Sequence, residues 1–296
     1  MITRAMLTAS AVTLSELRTN FPECVLASPK LDGIRCIIHP DLGAVSRNFK
    51  PIPNNYIREI LNDFKFMDGE IVTYTNKILD DFNTIQSKVM RQTGMPDFKL
   101  LSFDYFESPD LPFIDRYDKL LNSDIRPSYH RTFESPVHHK FIVDSDTFIN
   151  YAGTMLNSNY EGAMYRNVDG KYKSGRSTLR QGWLVKWKDV QDAEGSVVGF
   201  IEQMHNNNES TVNLTGMQEK SSHKENMEYK NTLGALVLDT SWGELRVGTG
   251  FDDVTRKRIW KNKVKYLGKT VTFKYQPYGT KNLPRFPVFK TFREKE

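Results

Sequence analysis

Lys30-Leu31-Asp32-Gly33-Ile34-Arg35 is the stretch on which the reading of this chain turns. It lies between two apolar, partly β-branched runs, residues 24–27 and 34–39, whose composition marks them as strands. Asp-Gly is a strong turn signal, so the segment reads as a turn joining them. The chemistry of the first residue is more telling. A lysine amine is a covalent nucleophile only when neutral. At an ordinary pKa of ~10.4, about one lysine in 2,500 is neutral at pH 7. A nucleophilic lysine therefore needs nearby cations or partial burial to favour the neutral amine. Beside a tight turn Lys30 projects from a rigid strand end, and Arg35 is a candidate for a phosphate or sugar contact. By itself the segment is a weak signal and is more often a surface hairpin.

Four further pieces follow along the chain. Asp68-Gly69-Glu70 repeats the pattern of turn then carboxylate, and Glu70 is a candidate acceptor for ribose hydroxyls; an ordinary hairpin is the alternative. Residues 99–106 form a continuous apolar run of the buried-strand kind. Most of its aromatics belong to a core, but one, with Phe103 the first candidate, is suited to stack on a base. Glu161-Gly162 places a carboxylate before a strand, a candidate magnesium ligand. Lys186 and Lys188 alternate on a strand and so share a face. Two cations on one side of an otherwise apolar strand suit a polyphosphate. Arg176 and Arg180 add cationic candidates upstream.

The 296 residues, 39% hydrophobic with a formal charge of +5, describe a globular chain of one large or two smaller domains. No run of about 18 apolar residues marks a membrane span. Residues 1–21 lack the apolar core of a secretory signal. Cys24 and Cys36 are too few for a disulfide framework or a four-cysteine zinc site, so a reducing cytoplasm is expected. The charge is uneven. Residues 1–189 carry 24 basic and 23 acidic side chains, whereas residues 254–293 carry twelve Lys/Arg and no Asp/Glu. That excess points to a polyanionic partner, nucleic acid ahead of anionic membrane, with a solvated basic face as the alternative.

Helical spacing predicts helices over 13–18, 56–64, 79–92, 115–122 (with Asp115 as cap) and 146–156. Strands are expected over 66–74, 164–166, 172–173 and 183–188. After Lys188 the texture changes to short strands, 193–203, 235–238, 244–247 and 270–275, with one helix over 252–263, which suits a small barrel. Residues 205–230 are polar and read as a long loop or insertion. A domain boundary is expected near Asp189.

With the pair Ser46-Arg47 added, these pieces in this order resemble the covalent nucleotidyltransferases: ATP-dependent DNA ligases, RNA ligases and mRNA capping enzymes. The C-terminal part narrows the choice. Gly234-Ala235-Leu236-Val237, Val247-Gly248-Thr249-Gly250-Phe251 and Leu283-Pro284-Arg285-Phe286-Pro287 resemble the oligonucleotide-binding (OB) domain of DNA ligases, although Val288 stands where that family often has a basic residue. The chain is thus similar to the compact, bacteriophage-type ATP-dependent DNA ligases. An RNA ligase, a capping-type nucleotidyltransferase or an inactive nucleic-acid-binding relative are the alternatives.

The resemblance implies an α+β fold: an adenylation (nucleotidyltransferase) domain of antiparallel sheets over 1–189 and a C-terminal OB-fold β-barrel over 190–296, with an insertion at about 205–230. It implies ATP as cofactor, with AMP carried covalently on Lys30, and magnesium, or manganese in its place. Glu70 would bind ribose, and Phe103 adenine. Glu161 with Asp32 would hold the metal, while Lys186 and Lys188 face the α-phosphate. Arg35 and Arg47 would contact the nucleotide or the 5′-phosphate of a nick, and Arg285 the pyrophosphate. Lys261, Lys263 and Lys265 would meet duplex backbone. The implied partner is nicked double-stranded DNA, with no membrane, for a monomer in the cytoplasm of a bacterium or a virus-infected cell.

Overall fold

The computed structural model describes residues 2–9, 24–122, 134–158, 160–212, 218–221, 223–276 and 283–293. The helix expected over 13–18 lies outside them. The chain divides into two compact units, the first of residues 1–188 with Val212 and Gln218, the second of residues 189–211 and 219–296. Among the described residues no helix is long and apolar enough to cross a membrane.

The first unit runs β1 (Met6–Leu7), β2 (Val25–Pro29), β3 (Ile34–His39), β4 (Gly43–Val45), α1 (Asn55–Leu61), β5 (Met67–Thr75), β6 (Ile78–Leu79) and α2 (Phe82–Met90). It continues through β7 (Asp97–Tyr105), α3 (Phe113–Leu121), β8 (Glu134–Pro136), β9 (Lys140–Ile142), α4 (Ser145–Asn157), β10 (Gly162–Asn167), β11 (Gly175–Arg176) and β12 (Val185–Lys188). One sheet has the order β4-β3-β5-β7-β8, with β6 on β5; the other has the order β12-β10-β2-β9. Most pairs are antiparallel, as expected, but β7–β8 and β1–β11 are parallel.

Neither of the two expected Asp-Gly turns forms a hairpin. β2 and β3 do not form a hairpin: they belong to different sheets, and the Lys30 segment crosses from one to the other. Asp68-Gly69-Glu70 is no turn but the middle of β5, with Gly69 paired to Cys36 on one side and Ser102 on the other. A carboxylate is tolerated in that central strand because Asp68, fully buried, is met by the Arg35 guanidinium. The strand expected at 172–173 is also absent; Tyr172 is a buried core residue and the strand is β11.

The helices begin where their caps dictate. Asn54, Asp81 and Asp144 accept hydrogen bonds from Ile57, Thr84 and Thr147 N–H at the starts of α1, α2 and α4. In α3 the cap position is Pro112, and Asp115 lies in the first turn instead, where its charge complements the helix dipole. Ile57, Leu61, Ile85, Val89, Phe113 and Leu120 from the first three helices bury against the larger sheet. Phe148, Tyr151 and Ala152 of α4 bury against the smaller one. A separate cluster, including Met6, Ile37, Phe106, Tyr172 and Leu184, draws on strands of both sheets and on the N-terminal strand.

The second unit runs β13 (Gln191–Asn206), β14 (Ser210–Val212), β15 (Gln218–Lys220), β16 (Met227–Thr240), β17 (Gly243–Val247), α5 (Asp253–Lys261), α6 (Lys263–Tyr266), β18 (Thr270–Gln276) and β19 (Arg285–Phe292). Its sheet has the order β17-β16-β13-β18-β19. The chain just after β17 returns to the far edge: Thr249 bridges Val288 in parallel, and Phe289 N–H donates to the Thr249 carbonyl at 2.9 Å. The two edges therefore meet. Val197, Leu236, Leu238, Val247, Val271 and Phe273 fill the interior. Of the twenty described residues between 205 and 230, twelve lie in strands, where a loop or insertion was expected. β13 and β16 stay paired out to Asn206 and Met227, and β14 pairs with β15. Most described side chains of this extension face solvent, which accounts for its polar composition.

Candidate active site

The crossing segment between the two sheets is held tightly. Lys30 N–H donates to the Gly162 carbonyl at 2.9 Å, tying the segment to β10. At the other end, a Cβ on Gly33 would lie 2.4 Å from the Ile71 carbonyl oxygen, so only glycine allows β3 to approach β5 there. Gly162, at φ +152°, is equally restricted: a Cβ would sit 2.2 Å from the Trp187 carbonyl oxygen.

This segment floors a cleft of about 260 Å³. Lys30, Arg35, Arg47, Glu70, Phe103 and Lys186 line it, all named from sequence. Arg176, also named from sequence, lines it too, and Leu7, Thr8, Met164, Arg166 and Leu184 are among its other wall residues. Asp32, Glu161 and Lys188 are not among the lining residues. Glu161 nonetheless joins the set, pairing with the Lys30 ammonium through one oxygen and with Lys188 through the other. β10 and β12 impose this: Gly162 is opposite Lys188, and Met164 opposite Lys186. The alternation of β12 then puts Val185 and Trp187 into the core, with both lysines on the other face.

Burial shifts the charges of this cluster. It pushes the Glu70 carboxyl up to about 7, against the pull of Arg35 and Lys30. It also opposes ionisation of Glu161, but Lys30 and Lys188 overcome that and hold Glu161 below the usual range. The Lys186 ammonium is lowered by partial burial and then by the neighbouring cations Lys188 and Lys30.

Arg35 is more committed than the sequence suggested. Its Nε and Nη2 donate to the two Asp68 oxygens at 2.5 and 2.6 Å, and Nη2 also to the Met6 carbonyl at 3.2 Å. Only Nη1 lies outside these bonds, so any phosphate contact falls to it. The same guanidinium sits 4.6 Å from the centroid of Phe103, and Arg166 5.6 Å from it. Phe103 therefore already carries cations against its ring, and a base would stack on what remains open.

Sequence reading missed the buried network beneath. Asp104, fully buried, pairs with Arg116 at 2.8 Å and with Arg166 at 2.5 Å. Burial opposes its charge, but the two arginines win and hold its carboxyl low. A lone aspartate in an otherwise apolar run was the available signal, since a buried carboxylate demands a cation. Arg116 and Arg166 lie 12 and 62 residues away from it, and nothing local marks them as its partners.

The donor set limits the kind of metal site it can form. Among the described residues no group of three or more His, Cys, Asp or Glu converges. A resident, fully caged ion therefore does not fit. Magnesium commonly takes one or two carboxylates and fills its sphere with water and substrate phosphates. Glu161 beside a phosphate-sized, cation-lined cleft fits that mode. In the second unit, Arg285 opens β19 with its guanidinium 5.1 Å from the Phe286 ring centroid. Lys263 lies 3.1 Å over the Trp260 ring, while Lys261 and Lys265 are exposed.

Comparison with known proteins gives a consistent picture. Residues 5–188 match the ATP dependent DNA ligase domain family, and residues 226–293 match the DNA ligase OB-like domain family. A DNA ligase of Haemophilus influenzae is 23% identical over 91% of this chain and 86% of its own length. The structure of Chlorella virus DNA ligase-adenylate is 31% identical, with a TM-score of 0.57 over 99% of this chain and all of that one. A Lig E DNA ligase, 21% identical, shares the fold with a TM-score of 0.70 over 99% of this chain and all of its own. The cleft that gathers the ordered motifs thus sits inside a matched ligase domain, and an OB-like ligase domain follows it: the chain belongs to the ATP-dependent DNA ligases.

Proposed function

We propose that Lys30 carries the AMP in this ligase and that the cleft around it is the adenylation site. The Lys30 amine attacks the α-phosphorus of ATP; a P–N bond forms and the bond to pyrophosphate breaks. AMP then passes to the 5′-phosphate of a nick in duplex DNA. The 3′-hydroxyl attacks that activated phosphate and AMP leaves. All three steps are displacements at phosphorus, so positioning and charge stabilisation carry the catalysis.

The observation behind this reading is the convergence on one cleft of Lys30, Glu70, Lys186 and, through Glu161, Lys188. Lys186 and Lys188 offer cations to the α-phosphate. Glu70 accepts from the ribose, Phe103 supports adenine, and Arg35 and Arg47 reach nucleotide or nick phosphate. Glu161, with Asp32 on the same loop as Lys30, would hold magnesium or manganese, which when bound polarises phosphoryl oxygens. Arg285 contacts the pyrophosphate in the first step.

The test is AMP transfer from labelled ATP to the protein, beside sealing of a nicked duplex. Wild-type chain labels and seals; Lys30→Ala does neither. Full labelling of Lys30→Ala would place the AMP elsewhere.

A further inference from the structure

Four groups distant in sequence close a ring of hydrogen bonds beside the cleft. Met6 N–H donates to the Tyr172 hydroxyl oxygen at 3.3 Å, and that hydroxyl donates to Asp68 Oδ2 at 2.6 Å. Asp68 accepts from Arg35 Nε and Nη2, and Arg35 Nη2 returns to the Met6 carbonyl at 3.2 Å. Both backbone polar groups of Met6 are therefore read by one side-chain triad. Met6 and Tyr172 are 1% and 4% exposed, and Asp68 is fully buried. Burial, with Asp68 beside it, raises the Tyr172 hydroxyl well above its ordinary range, so it remains a donor throughout neutral pH.

The ring joins two parts of the cleft. The residues after Met6, Leu7 and Thr8, form one wall, and Arg35 reaches in from another side. We propose that Tyr172 is a positioning residue that fixes the N-terminal wall and the Arg35 guanidinium as one unit, preorganising the cleft for nucleotide. Tyr172 is absent from the cleft lining, so it acts through Arg35 and Met6. The proposal rests on the cleft being the adenylation site. A hydroxyl whose donor and acceptor roles are both used leaves little freedom at either end, and preorganisation of this kind appears as affinity.

Tyr172→Phe removes only the hydroxyl and keeps the ring that packs 5.3 Å from Phe106. Enzyme–AMP formation is measured against ATP concentration. The expected result is a KM for ATP raised about five- to tenfold, with the maximal rate changed less than twofold. In an Arg35→Lys background Tyr172→Phe should add nothing, since the ring is already broken there. An unchanged KM, or an effect that simply multiplies with Arg35→Lys, overturns the proposal. Should Tyr172→Phe not fold, amide hydrogen exchange over residues 6–8 of Arg35→Lys reads the same ring. Faster exchange than in wild type supports the proposal, and unchanged exchange overturns it. Wild-type chain that takes no AMP from ATP would defeat the adenylation reading itself, an outcome distinct from all of these.

Discussion

Glu70, half-buried in the cleft wall, shows what desolvation of one carboxylate does to pH behaviour. Its folded pKa of about 7 stands above the ordinary 4.5. Its contribution to stability is therefore fully present below about pH 4.5 and is lost as pH rises through 7, where the ionised group must be kept in a partly desolvated site. Glu70→Gln keeps an acceptor without the charge. The variant should melt about 3 °C higher than wild type at pH 8 and level with it near pH 4.5. Scanning calorimetry at the two pH values checks this; a constant difference would show that charge is not the cause. ATP binding should move the other way, because a ribose hydroxyl donates best to the ionised form. At Lys186 the expectation is kinetic. Lys186→Ala should slow enzyme–AMP formation by about 10²–10³, the usual cost of one lost donor at a reacting oxyanion. Rapid-quench labelling at saturating ATP reads it directly.

At the level of strands, the network about Asp104 ties β7 to α3 and β10. Asp104→Ala leaves two buried guanidinium groups without their carboxylate and should cost about 3–5 kcal/mol. Urea unfolding of the variant measures it, and a loss below about 1 kcal/mol would mean that solvent reaches the pair. Such networks also mark where the sequence is silent. The strands themselves were legible: Ile34–His39 emerges with the expected bounds, and Lys186 and Lys188 share a face because a strand has period two. What could not be read was sheet membership. Asp-Gly is a turn signal by local propensity, yet Asp32-Gly33 crosses between sheets and Asp68-Gly69 lies inside a strand. In each case tertiary pairing overrides the local preference. The candidate site residues follow the same division. Lys30, Glu70 and Lys186 announce themselves by type and spacing, whereas Tyr172 lies 104 residues from the carboxylate it serves.

For the whole molecule, the +5 charge is less informative than its placement. Twelve basic and no acidic residues fall between 254 and 293, within the second unit. If Lys261, Lys263 and Lys265 each neutralise a phosphate, replacing all three with Ala should reduce the slope of log affinity for nicked duplex against log salt by up to about 2.7. Titration between 50 and 200 mM salt tests this. A reduction nearer two would fit the geometry, since the Lys263 ammonium is already engaged with Trp260. An unchanged slope would leave the cluster as plain solvated surface.

The crossing of the Lys30 segment between two sheets bears finally on the order of folding. Neither sheet alone can set the Lys30 amine, because one anchor is the Gly162 carbonyl and the other the approach of Gly33 to Ile71. Those anchors lie 132 residues downstream and 38 residues downstream, so the contacts are non-local and pair slowly. Competence to accept AMP should then be among the last properties regained on refolding. In a stopped-flow experiment, recovery of far-ultraviolet circular dichroism should precede recovery of AMP labelling. A chain emerging half-folded would hold strands and a hydrophobic core while its lysine was still chemically idle, and would consume no ATP before it was able to seal.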